Sequence, residues 1–333
     1  MVEQGTHKPL VGGSNPPSAT SLLADAVNRG ARALAIPDEA SIVLAVSGGP
    51  DSMALLHGAA QLARTDARAW RLTVAHLDHA LRPDSADDAD FVAEAAASLE
   101  LPSELRRTDV AALARRTGRS LEEAGREARY AFLEDVAEVS GALIATAHTA
   151  DDAAETVLIN LMRGSGLAGG RGIPARRGRV IRPLLGERRS KLRALLAEAG
   201  IAFRDDPSNE DLAFLRNRVR AELLPMLEQL RPGAVEAVAR FARLAADDDD
   251  LVDALAAAEL ARRRGADGSI DWHEPPSRAL GRRVLRLAIG EPVPSAERIE
   301  AALEAAEGPR GGISIELGGG REASVRERRI RIG

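Results

Sequence analysis

Apolar residues recur along this chain with two periods, and the changes between them lay out an α/β protein. Residues 21–36 set Leu, Ala and Val at helical spacing against polar positions, which predicts an amphipathic first helix. Residues 42–46, Ile-Val-Leu-Ala-Val, are apolar throughout, the mark of a strand buried on both faces. The stretch from Met53 to Ala60 reads as a helix. Residues 72–77 predict a second strand, which runs into Asp78-His79-Ala80-Leu81-Arg82 and is stopped by Pro83. Helices are expected from Asp84 through Leu99, over 109–116 and over 121–139. Residues 142–147 are a third buried strand, and 148–163 lead from its end into a helix. Strands separated by helices imply a parallel sheet covered on both faces. Ligands of such sheets sit at the carboxyl ends of the strands, where residues 47–52, 76–82 and 148–155 all fall.

Helical patterning resumes from Phe214 to Leu230, and Pro232-Gly233 breaks it. A domain boundary is expected there, dividing residues 21–230 from a smaller domain over 231–333. Residues 234–307 are rich in Ala and Leu and read as helical; 313–317, 323–325 and 328–332 read as a terminal β-hairpin. Residues 1–20, rich in Gly, Pro and Ser, read as a disordered leader. Gly13-Ser14-Asn15-Pro16 can be encoded by GGTTCGAATCC, which resembles the T-arm of a tRNA gene, so translated upstream sequence is one source of this leader.

Aromatic residues make up only 2% of the 333 residues, so Ala, Leu and Val must fill the core and stacking platforms for bases are scarce. Lys8 and Lys191 are the only lysines; positive charge is almost all arginine, which suits bidentate phosphate contacts. The net charge is -5, yet residues 171–220 hold thirteen Lys/Arg against six Asp/Glu. There is no cysteine, which excludes disulfides, thiol nucleophiles and cysteine-bound clusters. No apolar run reaches the length of a membrane span and no signal-peptide core is seen, so a cytoplasmic protein without membrane attachment is expected.

Between the first strand and its helix stands Ser47-Gly48-Gly49-Pro50-Asp51-Ser52. Paired glycines let backbone N–H groups turn toward an anion, and the helix N-terminus adds its positive end. It is neither a Walker A loop, which needs a lysine, nor G-x-G-x-x-G. It resembles the PP-loop of the N-type ATP pyrophosphatases, which cleave ATP between the α- and β-phosphates. A second motif is His148-Thr149-Ala150-Asp151-Asp152-Ala153-Ala154-Glu155-Thr156. Its acids share a helical face; they form either an acidic first turn that suits the helix dipole or carboxylates that hold Mg²⁺ on ATP or receive an amine. Arg126-Glu127-Ala128-Arg129-Tyr130 is a third, readable as a salt-bridged face near the only tyrosine. The fourth is Asp206-Pro207-Ser208-Asn209 followed by Arg216-Asn217-Arg218-Val219-Arg220, readable as general solubility or as phosphate recognition on ATP or RNA. The run Asp247-Asp248-Asp249-Asp250 points its side chains in different directions on a helix, and reads as a solvated face rather than a metal site.

With HLDHALR, RGSG and RPLL, these motifs occur in the order of the bacterial tRNA(Ile)-lysidine synthetase family, which the chain resembles over about residues 40–225. The resemblance implies a Rossmann-like PP-loop ATPase domain followed by a smaller, mainly helical tRNA-binding domain ending in a β-hairpin. It also implies a short form without the third domain of longer members. Ala153 departs from the family, which usually has glutamine there.

The implied reaction adenylates C2 of the wobble cytidine of a tRNA(Ile) with a CAU anticodon, releasing pyrophosphate. The amine of free L-lysine then attacks C2, and AMP leaves. The resemblance implies phosphate contacts from Ser47, Gly48, Gly49 and Ser52, with Arg129 and Arg163 also reaching phosphate, nucleotide binding that draws in Pro50, Asp51 and His76 as well, and Mg²⁺ held by Asp51 and Asp152. Arg129, His148 and Glu155 would complete the catalytic set, with His148 or a nearby carboxylate taking a proton from the lysine ammonium. Arg216, Asn217, Arg218 and Arg220 would contact tRNA. The oligomeric state stays open, a dimer included. PP-loop enzymes that insert sulfur into tRNA use cysteine persulfides or iron–sulfur clusters, and amidotransferase-linked relatives use a cysteine glutaminase. The absence of cysteine argues against both. A non-catalytic nucleotide- or RNA-binding protein of the same fold is the remaining alternative.

Overall fold

The strand that leads into the SGGPDS loop is buried on both faces and sends its side chains to two cores. Ile42, Leu44 and Val46 point into one, with Leu23, Leu55, Leu56, Leu192 and Leu196. Val43 points into the other, with Ala75, Ile144, Phe132 and Leu133. In this computed structural model, residues 18–65, 67–82, 85–205, 211–308 and 312–333 are described. The expected leader up to residue 17, Pro83 and the Asp206-Pro207-Ser208-Asn209 motif lie outside them.

In chain order the elements are α1 (Ala19–Ala33), β1 (Ser41–Ala45), α2 (Pro50–Arg64), β2 (Arg71–Asp78), α3 (Ser85–Ser98), β3 (Ser103–Arg107), α4 (Val110–Thr117), α5 (Leu121–Ser140), β4 (Leu143–Ala145) and α6 (Ala150–Met162). There follow α7 (Leu167–Gly170), β5 (Arg176–Arg177), β6 (Val180–Ile181), α8 (Arg189–Glu198), α9 (Leu215–Arg218), a π-helical turn (Val219–Leu223) and α10 (Leu224–Leu230). The remainder is α11 (Ala234–Arg263), β7 (Ile270–Asp271), α12 (Arg278–Ile289), α13 (Ala296–Glu307), β8 (Ile313–Gly318), β9 (Arg321–Arg326) and β10 (Arg329–Ile332).

The chain forms two compact units, Met1–Ser165 with Gly172–Ala242, and Gly166–Arg171 with Arg243–Gly333. The first carries a six-stranded sheet in the order β3-β2-β1-β4-β6-β5, parallel except for the β5–β6 pair. Strand order reverses between β1 and β4, which makes their carboxyl ends the expected crevice of a doubly wound sheet. Helices α1, α2 and α8 cover one face and α5 the other. Gly30 of α1 lies so near the Pro183 backbone that a Cβ there would collide with the Pro183 carbonyl, and Gly58 of α2 leaves only 2.7 Å between a Cβ and the Leu23 carbonyl. These two glycines set how closely the α1–α2–α8 layer packs.

In the second unit the helical stretch expected over 234–307 is interrupted. Turns at Gly265 and Gly268 bring Ile270 beside Ile330, so β7 joins β10. The terminal hairpin is therefore part of a four-stranded antiparallel sheet, β7-β10-β9-β8, whose β9–β10 turn holds Glu327 and Arg328 at φ 50° and 53°. This sheet and α12 and α13 enclose Trp272, Val284, Leu285, Leu303 and Ile330. The aspartate run corrects the expectation of a solvated face in one respect: Asp249 is buried, paired with Arg171 at 2.9 Å and with Arg283. Burial of that one carboxylate is tolerated because two guanidiniums meet it.

Candidate active site

Beyond β1 the chain stays pinned to the sheet, with the Val46 N–H donating to the Ala75 carbonyl at 2.9 Å. Gly48 then turns at φ +85°, where an L side chain is strained and a Cβ would lie 3.3 Å from Phe91 Cδ1. Two serines stitch the loop. The Ser47 N–H donates to Ser52 Oγ at 3.2 Å, and the Ser52 hydroxyl donates to the Gly49 carbonyl at 2.8 Å. Gly49 caps α2 and Pro50 occupies its first position, where a missing N–H costs nothing. Pro50 thus contributes shape, while the first-turn amides of α2 remain available to an anion at the carboxyl end of β1. The segment after α8 closes over this loop: the Arg204 N–H donates to the Gly48 carbonyl at 2.9 Å, and its guanidinium stacks on Phe91 and pairs with Asp88.

At the carboxyl end of β4, α6 delivers the acidic motif. Asp152 reaches back to its helix start, where Oδ2 accepts the Thr149 N–H at 2.8 Å and the Thr149 hydroxyl at 2.9 Å. Its Oδ1 accepts Arg189 Nη2 at 2.8 Å, with Arg216 and Arg220 at 3.4 and 3.5 Å. Glu155 is wholly buried and accepts Arg216 Nε at 2.8 Å, Arg220 Nε at 2.7 Å and Arg189 Nη1 at 3.3 Å. Asp51, in the first turn of α2, accepts Arg189 Nε on Oδ2 at 2.8 Å, and its buried Oδ1 has no partner among the described residues. Asp151 points the other way: Oδ2 accepts the Arg189 backbone N–H at 2.8 Å and both oxygens lie 3.3 Å from Arg188 Nε.

The two site aspartates differ in acidity because their surroundings differ. Burial raises the Asp51 carboxyl, and the charges of Asp152 and Asp151 add to that against the opposing Arg189. Burial also raises Asp152, but Arg189, His148, the Thr149 N–H and Arg216 outweigh it and hold it at about 2. Burial, with Arg182, Arg216 and Arg126, pushes His148 down to about 4, despite Asp152. His148 is therefore neutral at pH 7, with Nδ1 3.0 Å from the Thr146 hydroxyl.

Asp51, Asp152 and Glu155 come together, and Arg216 and Arg220, expected to face tRNA, direct their guanidiniums at these acids. The expected partners Asn217 and Arg218 sit elsewhere on the same turn; Asn217 donates to the Asp211 carbonyl at 2.9 Å and Arg218 to Glu222 at 3.5 Å. His76 donates Nδ1–H to the Val46 carbonyl at 2.8 Å, which leaves a buried Nε2 with no partner among the described residues, beside the loop strand. Arg129 donates to His79 Nε2 at 3.3 Å rather than to the acidic cluster, and Arg126 stacks on Tyr130 at 5.1 Å. Arg163 follows the last residue of α6, eleven residues beyond Asp152, and its backbone N–H donates to the Ile159 and Asn160 carbonyls at 3.2 Å each. Arg188 and Arg189 were not legible as site residues, because Glu187-Arg188-Arg189-Ser190-Lys191 reads as basic surface. The nearest signal was the RPLL motif just before them.

The donor set fits a magnesium ion. Mg²⁺ takes one or two carboxylates and fills its shell with phosphate and water, and Asp51 offers a buried oxygen with no hydrogen-bond partner among the described residues. Among the described residues no three Asp, Glu or His side chains converge on one metal position, so the remaining ligands would have to come from nucleotide and solvent.

The family model of the PP-loop domain matches residues 22–227. Proteins named tRNA(Ile)-lysidine synthase align at 46% identity over 263 residues in Geobacter sulfurreducens and at 45% over 230 residues in Thermus thermophilus. Those alignments cover 74% and 69% of this chain but 54% and 44% of the relatives, so the chain spans about half the length of the curated relatives it matches. The U34-tRNA thiolase NcsA from Methanococcus maripaludis, solved with its [4Fe-4S] cluster, shares the fold at a TM-score of 0.55 and 15% identity, covering 68% of this chain and 80% of the thiolase.

Proposed function

The chain belongs to the PP-loop domain family, and from that premise we propose that it ligates free L-lysine to C2 of the wobble cytidine of tRNA(Ile) with a CAU anticodon. ATP is consumed through an adenylated cytidine, and lysidine, AMP and pyrophosphate are formed. The observation that carries this reading is the buried Oδ1 of Asp51, without a partner among the described residues, in the first turn of the phosphate-loop helix beside Asp152. The likeness to tRNA(Ile)-lysidine synthases supplies the substrate class.

A carbonyl oxygen is a poor leaving group, and adenylation makes it a good one. In the proposed reaction the amides of Gly48, Gly49, Asp51 and Ser52, at the loop and the α2 N-terminus, hold the β- and γ-phosphates, where charge accumulates as pyrophosphate departs. Asp51 and Asp152 would hold Mg²⁺, which when bound supplies charge neutralisation on those phosphates. His148, neutral and weakly basic, serves as a hydrogen-bonding group and not as the base that deprotonates lysine. Glu155 braces Arg216 and Arg220 over the site. The exposed arginines 176, 177, 179 and 218 are left for the RNA backbone, together with the second unit. ATP, free lysine and tRNA make the cytoplasm the proposed compartment; among the described residues no helix is long and apolar enough to cross a membrane.

The test is incubation with ATP, labelled lysine and transcripts of tRNA(Ile) and tRNA(Met), both with CAU anticodons. Label on the isoleucine transcript alone, with one AMP per lysine, is expected. Label on neither, or equally on both, would overturn the reading.

A further inference from the structure

Arg189 sits where a cation shared by the two site aspartates would sit. Its guanidinium reaches Asp51 Oδ2 and Asp152 Oδ1 at 2.8 Å each and Glu155 Oε1 at 3.3 Å. The side chain is largely buried, and burial alone would lower its pKa. Asp152, Asp51 and Glu155 more than reverse that and drive it upward. A metal drawing on both aspartates must take oxygens that Arg189 now holds; of their four carboxylate oxygens, Asp51 Oδ1 alone has no partner among the described residues. A buried guanidinium cannot be left without an anion except at a cost of several kcal/mol. It can leave the aspartates only for another anion within reach. The planar fork of arginine matches phosphate oxygens. Its backbone is fixed, because Asp151 holds the Arg189 N–H, so the side chain swings from a fixed pivot at the start of α8.

We propose that Arg189 is a resident counter-cation that makes metal binding conditional on the triphosphate. Without nucleotide it neutralises Asp51 and Asp152 and competes with free divalent metal. When metal and triphosphate arrive together, the metal takes the aspartates and the guanidinium moves to phosphate oxygens. Metal and nucleotide thereby favour each other's binding, as linkage requires. This rests on the reading of residues 47–52 as the phosphate site.

The test compares wild type with Arg189→Gln, using Mn²⁺ alone followed by electron paramagnetic resonance, and ATP in EDTA followed by calorimetry. Loss of Arg189 should tighten Mn²⁺ alone by roughly tenfold or more and weaken metal-free ATP by a similar factor, two shifts of opposite sign. A merely structural role would weaken both together. Should Arg189→Gln fail to fold by circular dichroism, Arg189→Lys is read instead. It keeps the charge and loses the fork, and a shift of roughly threefold in each direction is expected. Unchanged Mn²⁺ affinity in the folded variant, or shifts of the same sign, would overturn the proposal. Neither measurement contains tRNA or lysine. A protein that shows both shifts and labels no tRNA would refute the proposed reaction while leaving the role of Arg189 in place.

Discussion

The carboxylate of Asp151 caps a helix to which it does not belong, accepting at 2.8 Å the backbone N–H of Arg189, the first residue of α8. Neighbouring aspartates at the start of α6 thus divide their work: Asp152 faces the phosphate loop, and Asp151 fixes the helix that supplies Arg189. Asp151→Ala should cost about 1–2 kcal/mol of stability, the worth of a charged cap at a partly buried helix N-terminus. Urea denaturation reads this directly. A loss below a few tenths of a kcal/mol would show that α8 does not depend on the cap.

Glu155 accepts from three guanidiniums, those of Arg189, Arg216 and Arg220, and none of its surface is exposed. Its removal takes from the partly exposed Arg216 and Arg220 their shortest carboxylate contacts, at 2.8 and 2.7 Å. Glu155→Gln keeps the shape and one acceptor and should still cost about 3 kcal/mol. The loss should concentrate in the turn Val219–Leu223, where a π-helical segment sets Arg216 and Arg220 toward the same acid. Hydrogen exchange would locate it; faster exchange spread evenly over the sheet, with none concentrated in that turn, would contradict this assignment.

The phosphate loop was legible because local signals agree there: an apolar strand, two glycines, a proline at the first helical position and a capped helix. β3 was not, since Ser-Glu-Leu-Arg-Arg has no strand pattern and is exposed along its length. It is extended because it pairs with β2, Val74 against Ser103 onward, which is a tertiary cause. Arg189 was hidden for the same reason, lying 138 residues from Asp51 in sequence. Spacing identified Asp151, Asp152 and Glu155 as one acidic helical turn but gave no hint that four guanidiniums face it.

Gly48 tests whether the loop conformation itself holds phosphate. At φ +85° an alanine is strained, and its Cβ would press on Phe91, which in turn carries Arg204 across the loop. Gly48→Ala should lose about 1–2 kcal/mol of stability. Its ATP affinity should fall by at least about tenfold, because the amides of the turn no longer converge. Calorimetry with a non-hydrolysable ATP analogue distinguishes these effects. A folded variant with wild-type affinity would remove the loop from the phosphate site.

Acid should weaken this protein well above the range where its paired carboxylates protonate. Burial holds His148 at about 4, and burial with Arg129 and His76 holds His79 at about 4, against 6.5 for both in the unfolded chain. The sign follows from which state binds the proton. Between pH 6.5 and 4 the unfolded chain takes up protons that the folded protein refuses, so stability present above 6.5 is lost as pH falls. By pH 4.5 each histidine should cost about 2–3 kcal/mol. Asp51, whose carboxyl is raised, works in the opposite sense in its own window above 3.8, so the net fall is somewhat smaller. Asp152, held at about 2, adds its loss only below 3.8. Urea denaturation at pH 7.5, 5.5 and 4.5 should show a steady decline, and His148→Asn should flatten it measurably. Equal stability at pH 7.5 and 4.5 would mean that neither imidazole is kept neutral by the fold.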